Sequence, residues 1–210
     1  MNQSWAKFAL TVFIALRLWA QTPTEKPPAS FLIEPGVGVG KLKLGDTQER
    51  AFKLFPSKPN MDQQWDDDCG IGYNWVDIHG NVFVRFRQGH VFQIESATTR
   101  YRTAEGLGVY AEPEKVRRYY KGLHAYMLLG LSSSAIGDRP LVFWVDHTKG
   151  IAFAFAYYPA ENRRYLYKII VFKPSLGLCP EGSRTDSPKW HELPPYSLEL
   201  PSGIAHLRPH

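Results

Sequence analysis

Hydrophobic and polar residues alternate with a period of two along six stretches of the chain, and this alternation predicts half-buried β-strands. The dipeptides His79-Gly80 and Gln88-Gly89 are typical of tight turns between antiparallel strands. The pattern therefore predicts two β-meanders of three strands each. The predicted strands span residues 73–78, 81–88, 90–97, 141–146, 150–158 and 164–173.

Apolar residues at helical spacing precede each predicted meander. Ala51, Leu54 and Phe55 share one face of a helix predicted over residues 47–55, and Asp46 begins a capping-box spacing at its start. Each meander is therefore expected to follow one helix. The second predicted helix has Pro113 in its first turn and Val116, Tyr119 and Tyr120 on its apolar face.

The tripeptide Trp-Val-Asp occurs once in each predicted meander, beginning at Trp75 and at Trp144. At that shift of 69 residues the in-facing positions of two strands coincide. These positions are Val82, Val84 and Phe86 in the first strand and Ile151, Phe153 and Phe155 in the second. We therefore predict an α+β fold of two tandem units, residues 31–102 and 103–174, each a helix followed by an antiparallel β-meander.

Residues 40–51 have the order of a glycine, a short strand, a Gly-x-Thr turn and a helix. This order resembles the opening of the small envelope modules typified by the SmpA/OmlA (BamE-type) lipoproteins, and the tandem arrangement resembles the β-lactamase inhibitor proteins. The resemblance implies an envelope or secreted binding protein and not an enzyme. It does not imply a lipid anchor, because no cysteine follows the predicted signal peptide. No contact residue of either family is matched in this chain.

The two ends of the chain differ in composition from the middle. Residues 1–20, with Lys7 before a short apolar run, are predicted to be a cleaved secretory signal peptide. Retention as a membrane anchor is the alternative, but the run is shorter than the roughly 20 residues that a span needs. Residues 21–30 are predicted to be a mobile linker, and the proline-rich tail over residues 175–210 is expected to lie partly along the body. The mature protein would then be periplasmic or extracellular, with no stable membrane span.

Removal of residues 1–20 lowers the formal charge from +5 to +3, because it removes two basic residues and no acid. That excess gives no argument for nucleic acid binding. The remaining chain, 14% aromatic and 21% charged overall, is long enough for a packed core, but its oligomeric state cannot be deduced.

Two cysteines, Cys69 and Cys179, lie outside the predicted signal peptide. An even pair in an exported chain predicts a disulfide, and two free thiols are the alternative. Neither cysteine belongs to a cluster with the spacing of zinc ligands.

Three short stretches resemble ligand-binding or catalytic motifs, but each lacks residues that the motif requires. Asp66–Asp68 lacks the alternating spacing of a calcium loop, residues 36–40 lack the Lys and Ser/Thr of a phosphate loop, and Ser132–Ser134 lacks the glycines of a nucleophile elbow. The acidic and serine stretches are predicted to be plain loops, and residues 36–40 are predicted to belong to a short edge strand that enters a turn at Gly45. We therefore predict no cofactor, no metal site and no enzymatic activity.

Phe83, Arg85 and Arg87 alternate with the in-facing residues of one strand and are predicted to lie together, exposed, on its outer face. Aromatic and arginine side chains are enriched at protein interfaces, so these three are the predicted binding residues. The matching face of the second unit is either covered or a shallow docking surface. That face is formed by Ala152, Ala154 and Ala156.

The leading hypothesis is a non-catalytic binding protein whose partner is another envelope or secreted protein. The second is a small-ligand or lipid-binding carrier with a pocket between sheets and helices. The third is a hydrolase that uses Asp77 and His79 as a base and its orienter, but no motif places a nucleophile beside them, and a histidine of the hairpin turn is the favoured interpretation.

Overall fold

The structure, a computed structural model, describes residues 27–55, 57–61, 69–129, 140–179 and 189–199. Within these residues the chain forms two short α-helices and thirteen strands. The helices are α1 (Gln48–Leu54) and α2 (Pro113–Tyr119). The strands are β1 (Leu32–Glu34), β2 (Gly38–Val39), β3 (Leu42–Lys43), β4 (Asn60–Met61), β5 (Ile71–Asp77), β6 (Gly80–Arg87), β7 (His90–Thr98), β8 (Arg102–Thr103), β9 (His124–Leu129), β10 (Val142–Asp146), β11 (Ile151–Tyr158), β12 (Arg163–Phe172) and β13 (Lys189–Leu193). The predicted signal peptide lies outside the described residues.

The strands form a small sheet with the order β3-β2-β1-β8 and a large sheet with the order β13-β9-β10-β11-β12-β7-β6-β5-β4. The large sheet is antiparallel throughout, and its two meanders meet where β7 pairs with β12. In that central pair Glu95 lies opposite Ile170 and Ser96 opposite Ile169. One continuous sheet therefore carries both halves of the chain.

The predicted α+β fold of two tandem helix-plus-meander units is wrong. The chain is mostly β, because each helix has only seven residues and strands also form where loop or tail was predicted. The two meanders share one nine-stranded sheet and do not stand as separate units. The predicted repeat register also fails at the tryptophans, because Trp75 lies opposite Val82 whereas Trp144 lies opposite Phe153.

The six strands predicted from alternation are confirmed, with bounds that differ by at most two residues. Both helices are confirmed, but the N-cap of α1 is Thr47 and not Asp46: the Thr47 side chain accepts a hydrogen bond from the Arg50 backbone N–H. The Asp46 carboxylate instead binds the Lys43 backbone N–H and the Arg50 side chain. In α2, Pro113 lies in the first turn as predicted.

The main core lies on one face of the large sheet and is closed by the small sheet and both helices. It contains the predicted in-facing residues of β6 and β11 together with Trp75 and Trp144. A second apolar cluster, built around Phe143, Phe172 and the alanines of β11, lies on the opposite face. The large sheet is thus packed on both faces over its central strands.

Part of the tail lies along the body, as predicted. Strand β13 pairs with β9 at the edge of the large sheet, and Leu193 is buried in the main core. Beyond it, the Trp144 indole N–H donates to the Ser197 carbonyl, and the Tyr196 hydroxyl donates to the Tyr120 carbonyl. These contacts attach the described end of the tail to the second meander.

The predicted disulfide between Cys69 and Cys179 is confirmed, with a Cα–Cα distance of 5.7 Å. It joins the residue two positions before β5 to the segment that follows β12. No helix in the described part of the chain is long and apolar enough to cross a membrane.

Candidate functional site

The residues predicted to bind a partner lie on β6 as expected, but their predicted common exposure is wrong. Arg85 is only 2% exposed, and its guanidinium lies 4.8 Å from the centre of the Phe83 ring. Arg87 is half-buried and lies 5.1 Å from the centre of the Phe92 ring. Alternation correctly assigned the three side chains to the face opposite Val82, but that face is packed rather than solvated around Arg85.

Arg85 belongs to a buried network of charged and polar side chains. Its Nε lies 3.3 Å from one Glu95 oxygen, and the Lys168 Nζ lies 2.7 Å from the other. The Gln93 amide donates to Glu95 at 2.8 Å and to the Cys179 carbonyl at 2.8 Å. The network therefore connects β6, β7 and β12 to residues 173–179, the segment between β12 and the disulfide cysteine Cys179, which we call the disulfide segment.

Burial tends to raise the pKa of Glu95, because a buried carboxylate loses its hydration. Attraction first to Lys168 and then to Arg85, with the hydrogen bonds from Lys168 and Gln93, outweighs burial and lowers the pKa below its usual value. Glu95 is therefore ionised at neutral pH, as the counter-ion of two buried cations. This is a structural role, and it removes Arg85 from direct contact with a partner.

The alanine face of β11 is covered, as one of the two interpretations predicted. Ala152, Ala154 and Ala156 are fully buried, and the side chains packed against their cluster include Trp190 of β13 and Leu178 of the disulfide segment. The alternative of a docking surface along these alanines is wrong.

A cavity lies on the other face of the sheet, where the β5–β6 hairpin, the end of α1 and the small sheet meet. We call it the hairpin cavity; its volume is about 520 Å³. Its walls are apolar and polar in nearly equal parts, with polar groups from five segments. The lining residues are Ser30, Phe31, Val39, Lys41, Leu42, Leu54, Phe55, Ser57, Trp75, Val76, Asp77, Gly80, Val82, Thr98, Arg100 and Tyr101.

Trp75 is the residue of this cavity with an unsatisfied polar group. The side chain is 3% exposed and stacks on Phe55 with ring centres 4.7 Å apart. Its buried indole N–H has no hydrogen-bond acceptor among the described residues. A buried donor without a partner is costly, and because this N–H is covered by protein atoms, an occupant of the cavity would not contact it without a rearrangement of side chains.

The charged residues of the cavity are unevenly paired. One Asp77 oxygen lies 3.1 Å from the Arg100 guanidinium, whereas Lys41 is exposed and forms no ion pair with any described residue. The Tyr101 pKa is raised, mainly because its hydroxyl is partly buried. Among its described residues, the cavity thus has one ion pair with no net charge, Asp77 with Arg100, and one lysine, Lys41, that could pair with an acidic group of a ligand.

The arrangement of Asp77 does not match the orienter of a catalytic histidine. One of its oxygens accepts a hydrogen bond from the His79 backbone N–H at 2.7 Å, and the other binds Arg100. The carboxylate therefore shapes the hairpin turn and contacts the backbone of His79 rather than its imidazole.

At the other candidate sites, the described residues form no catalytic or metal-binding group. Residues 36–40 were predicted to belong to one edge strand, and the structure has a turn followed by the short strand β2 there, while Asp66–Asp68 and Ser132–Ser134 lie outside the described residues. His124 and His147 are near neighbours with ring centres 6.2 Å apart, and burial, followed by repulsion from His124, lowers the pKa of His147. The described part of the chain contains no group of three or more side chains suited to hold a metal ion.

Sequence reasoning missed the hairpin cavity. Trp75 was noted only because Trp-Val-Asp occurs twice in the sequence. No sequence pattern indicated Phe31, Lys41 or Arg100, because these residues come from segments that meet only in the fold. The one local signal was the sequence Val76-Asp77-Ile78, which places two apolar side chains around a turn.

The resemblance to envelope modules and inhibitor proteins is a prediction that rests on twelve residues. Comparison of the chain with models of known protein families, with curated proteins and with solved structures gives no match.

Proposed function

We propose that this chain is an exported, non-catalytic binding protein, that the hairpin cavity is its binding site and that its partner is another protein. The observation that carries the proposal is the apolar surface beside the cavity. Val76, at the rim of the cavity on β5, is 55% exposed, and Ile78 is 95% exposed at the adjoining hairpin tip. Exposed apolar residues that adjoin a concave site are typical of protein-binding surfaces.

Two further features support export. The disulfide is compatible with an oxidising compartment, where such bonds persist. The first twenty residues have the charge and hydrophobic pattern of a secretory signal. Together they favour the periplasm or the extracellular space, and they agree with what the resemblance to envelope modules implies.

A small-ligand or lipid carrier is the second candidate, and the size of the cavity favours it. About 520 Å³ is within the range of pockets that hold small molecules, roughly 300–1,000 Å³. In this case the ligand would occupy the cavity alone, and the exposed residues at the hairpin tip would make no contribution.

Capture of proteins by immobilised mature chain from the envelope fraction of its own organism, followed by mass spectrometry, tests the proposal. Val82→Phe narrows the cavity, and Ile78→Lys changes only the exposed hairpin tip. A protein partner should be lost from both variants, whereas Tyr119→Lys, which changes an exposed apolar residue on α2, should retain it. Melting curves identify any variant that fails to fold.

The outcomes separate the two candidates. A small molecule that co-purifies with the wild type and Ile78→Lys but not with Val82→Phe, in native mass spectrometry, would support the carrier. Capture that neither cavity nor hairpin variant affects would contradict the proposed site.

A further inference from the structure

Beside the hairpin cavity, the described residues leave part of the edge of the large sheet unpaired. Strand β4 covers the outer side of β5 only at Tyr73 and Asn74. Pro59, which precedes β4 and would come next in the ladder, lacks a backbone N–H and ends the pairing. Within the described part of the chain, no strand pairs with residues 75–77 on the side away from β6.

Residues 75–77 therefore present unpaired backbone groups. In an antiparallel strand, alternate residues direct both N–H and C=O away from a given neighbour, so at least one of three consecutive residues has both groups on the open side. Native proteins usually protect such an edge with a lysine, a proline or a bulge. Here the charged residue, Asp77, is paired with Arg100, and Pro59 lies only beside Trp75. Val76 has no such protection, and β5 pairs with β6 in regular register there.

The open edge and the cavity share the same residues. Trp75, Val76 and Asp77 all line the cavity, so a strand added beside them would lie at its mouth. Alternate side chains of that strand would face the cavity walls. The exposed Lys41, which has no described counter-ion, favours an acidic residue in the same strand.

We infer that the open edge of β5 binds an extended segment of the partner as an additional antiparallel strand, with one apolar side chain in the hairpin cavity and an acidic residue near Lys41. This inference rests on the proposed function and specifies its mode. Backbone hydrogen bonds would provide affinity, and the cavity would select the anchoring side chain.

A phage-displayed library of random linear dodecapeptides, selected on the mature protein, provides the probe. Enriched peptides should combine an apolar anchor with an acidic residue. In a synthetic peptide of the enriched sequence, methylation of backbone amides one at a time should weaken binding about tenfold at alternate positions, where the N–H pairs with β5, and much less at the positions between. This pattern is specific for strand addition and requires no change to the protein.

The possible failures are distinguishable. If Val82→Phe abolishes peptide binding but N-methylation shows no alternation, cavity binding stands and strand addition is wrong. If no peptide is enriched, the inference is wrong, whereas the capture experiment decides the proposed function separately. If the wild type is a dimer by light scattering and Val76→Lys makes it monomeric, the occupant of the edge is a second copy of this chain and the inferred partner segment is excluded.

Lys41→Gln tests the charge preference with the fold unchanged, because Lys41 is exposed. It should lessen the advantage of the acidic peptide over its amide analogue, whereas Lys115→Gln on α2 is the matched control and should not. An equal effect of both variants would show only a general attraction between a basic protein and an acidic peptide.

Discussion

Glu95→Gln should strongly destabilise the protein, although Gln has nearly the same shape. Glu95 is 2% exposed and is the carboxylate between Lys168 and Arg85, which are equally buried. Neutralising it leaves two buried cations without this counter-ion. Loss of one partner from a buried ion pair typically costs about 3–5 kcal/mol, so we expect the free energy of unfolding to fall by that amount.

The measurement is urea unfolding at pH 7 with the disulfide intact, followed by tryptophan fluorescence. Glu49→Gln is the matched control, because Glu49 also forms an ion pair with a lysine, Lys53, but both side chains are mostly exposed. It should change stability much less. Glu95→Gln combined with Lys168→Met should recover part of the loss, since the double variant removes one of the buried cations.

The effect should depend on pH in one direction. Because the folded protein lowers the pKa of Glu95, this carboxylate contributes stability that is fully present above its unfolded value of about 4.5 and is lost as the pH falls through the folded value. The difference between wild type and Glu95→Gln should therefore shrink on acidification. A loss below about 1 kcal/mol at pH 7, or a difference that grows as the pH falls, would refute this account of the network.

Three further predictions concern packing and the backbone. Removal of the disulfide should lower the free energy of unfolding by about 4–5 kcal/mol in the chain-entropy model, measured by urea unfolding of the double serine variant; no measurable change would contradict it. Ala154→Leu should lower stability by about 1–3 kcal/mol, because Ala154 is fully buried in the covered face, and an unchanged melting temperature would mean that the face is open. Gly150→Ala should cost more than Gly89→Ala, because both have positive φ but only at Gly150 would the new Cβ meet a backbone atom, the Phe172 carbonyl oxygen at 2.2 Å; equal losses in thermal unfolding would refute the clash.

The strands of the two meanders were predictable because their in-facing side chains pack on the main core and so keep strict alternation. Alternation also assigns a face to Arg85, but it cannot show whether that face is solvated. Burial of Arg85 depends on Glu95, ten residues away, and on Lys168 in the other meander. The predicted exposure failed because the sequence does not show what packs on the outer face.

Outside the meanders, alternation predicted one short edge strand before α1, where the structure has the two short strands β2 and β3. Strands β4 and β8 were missed because they have two residues each, too few for a period to appear, and β13 was missed because it depends on pairing with β9. The hairpin cavity is formed by parts of the chain near residues 30, 40, 55, 75 and 100, which meet only in the fold. The position of the cavity therefore could not be derived from the local alternation of apolar and polar residues.

The pairing of β7 with β12 makes the two halves of the chain mutually dependent. A cut between β8 and α2 would leave each half with an uncovered central strand, and would separate the Glu95 carboxylate on one fragment from the Lys168 ammonium on the other. Each fragment would then expose an unpaired strand, β7 in one and β12 in the other, whose backbone groups and buried charges are complementary to those of the other fragment. Co-expressed halves should therefore reassemble, while either half alone should aggregate, so a split-protein reporter can be built at this junction.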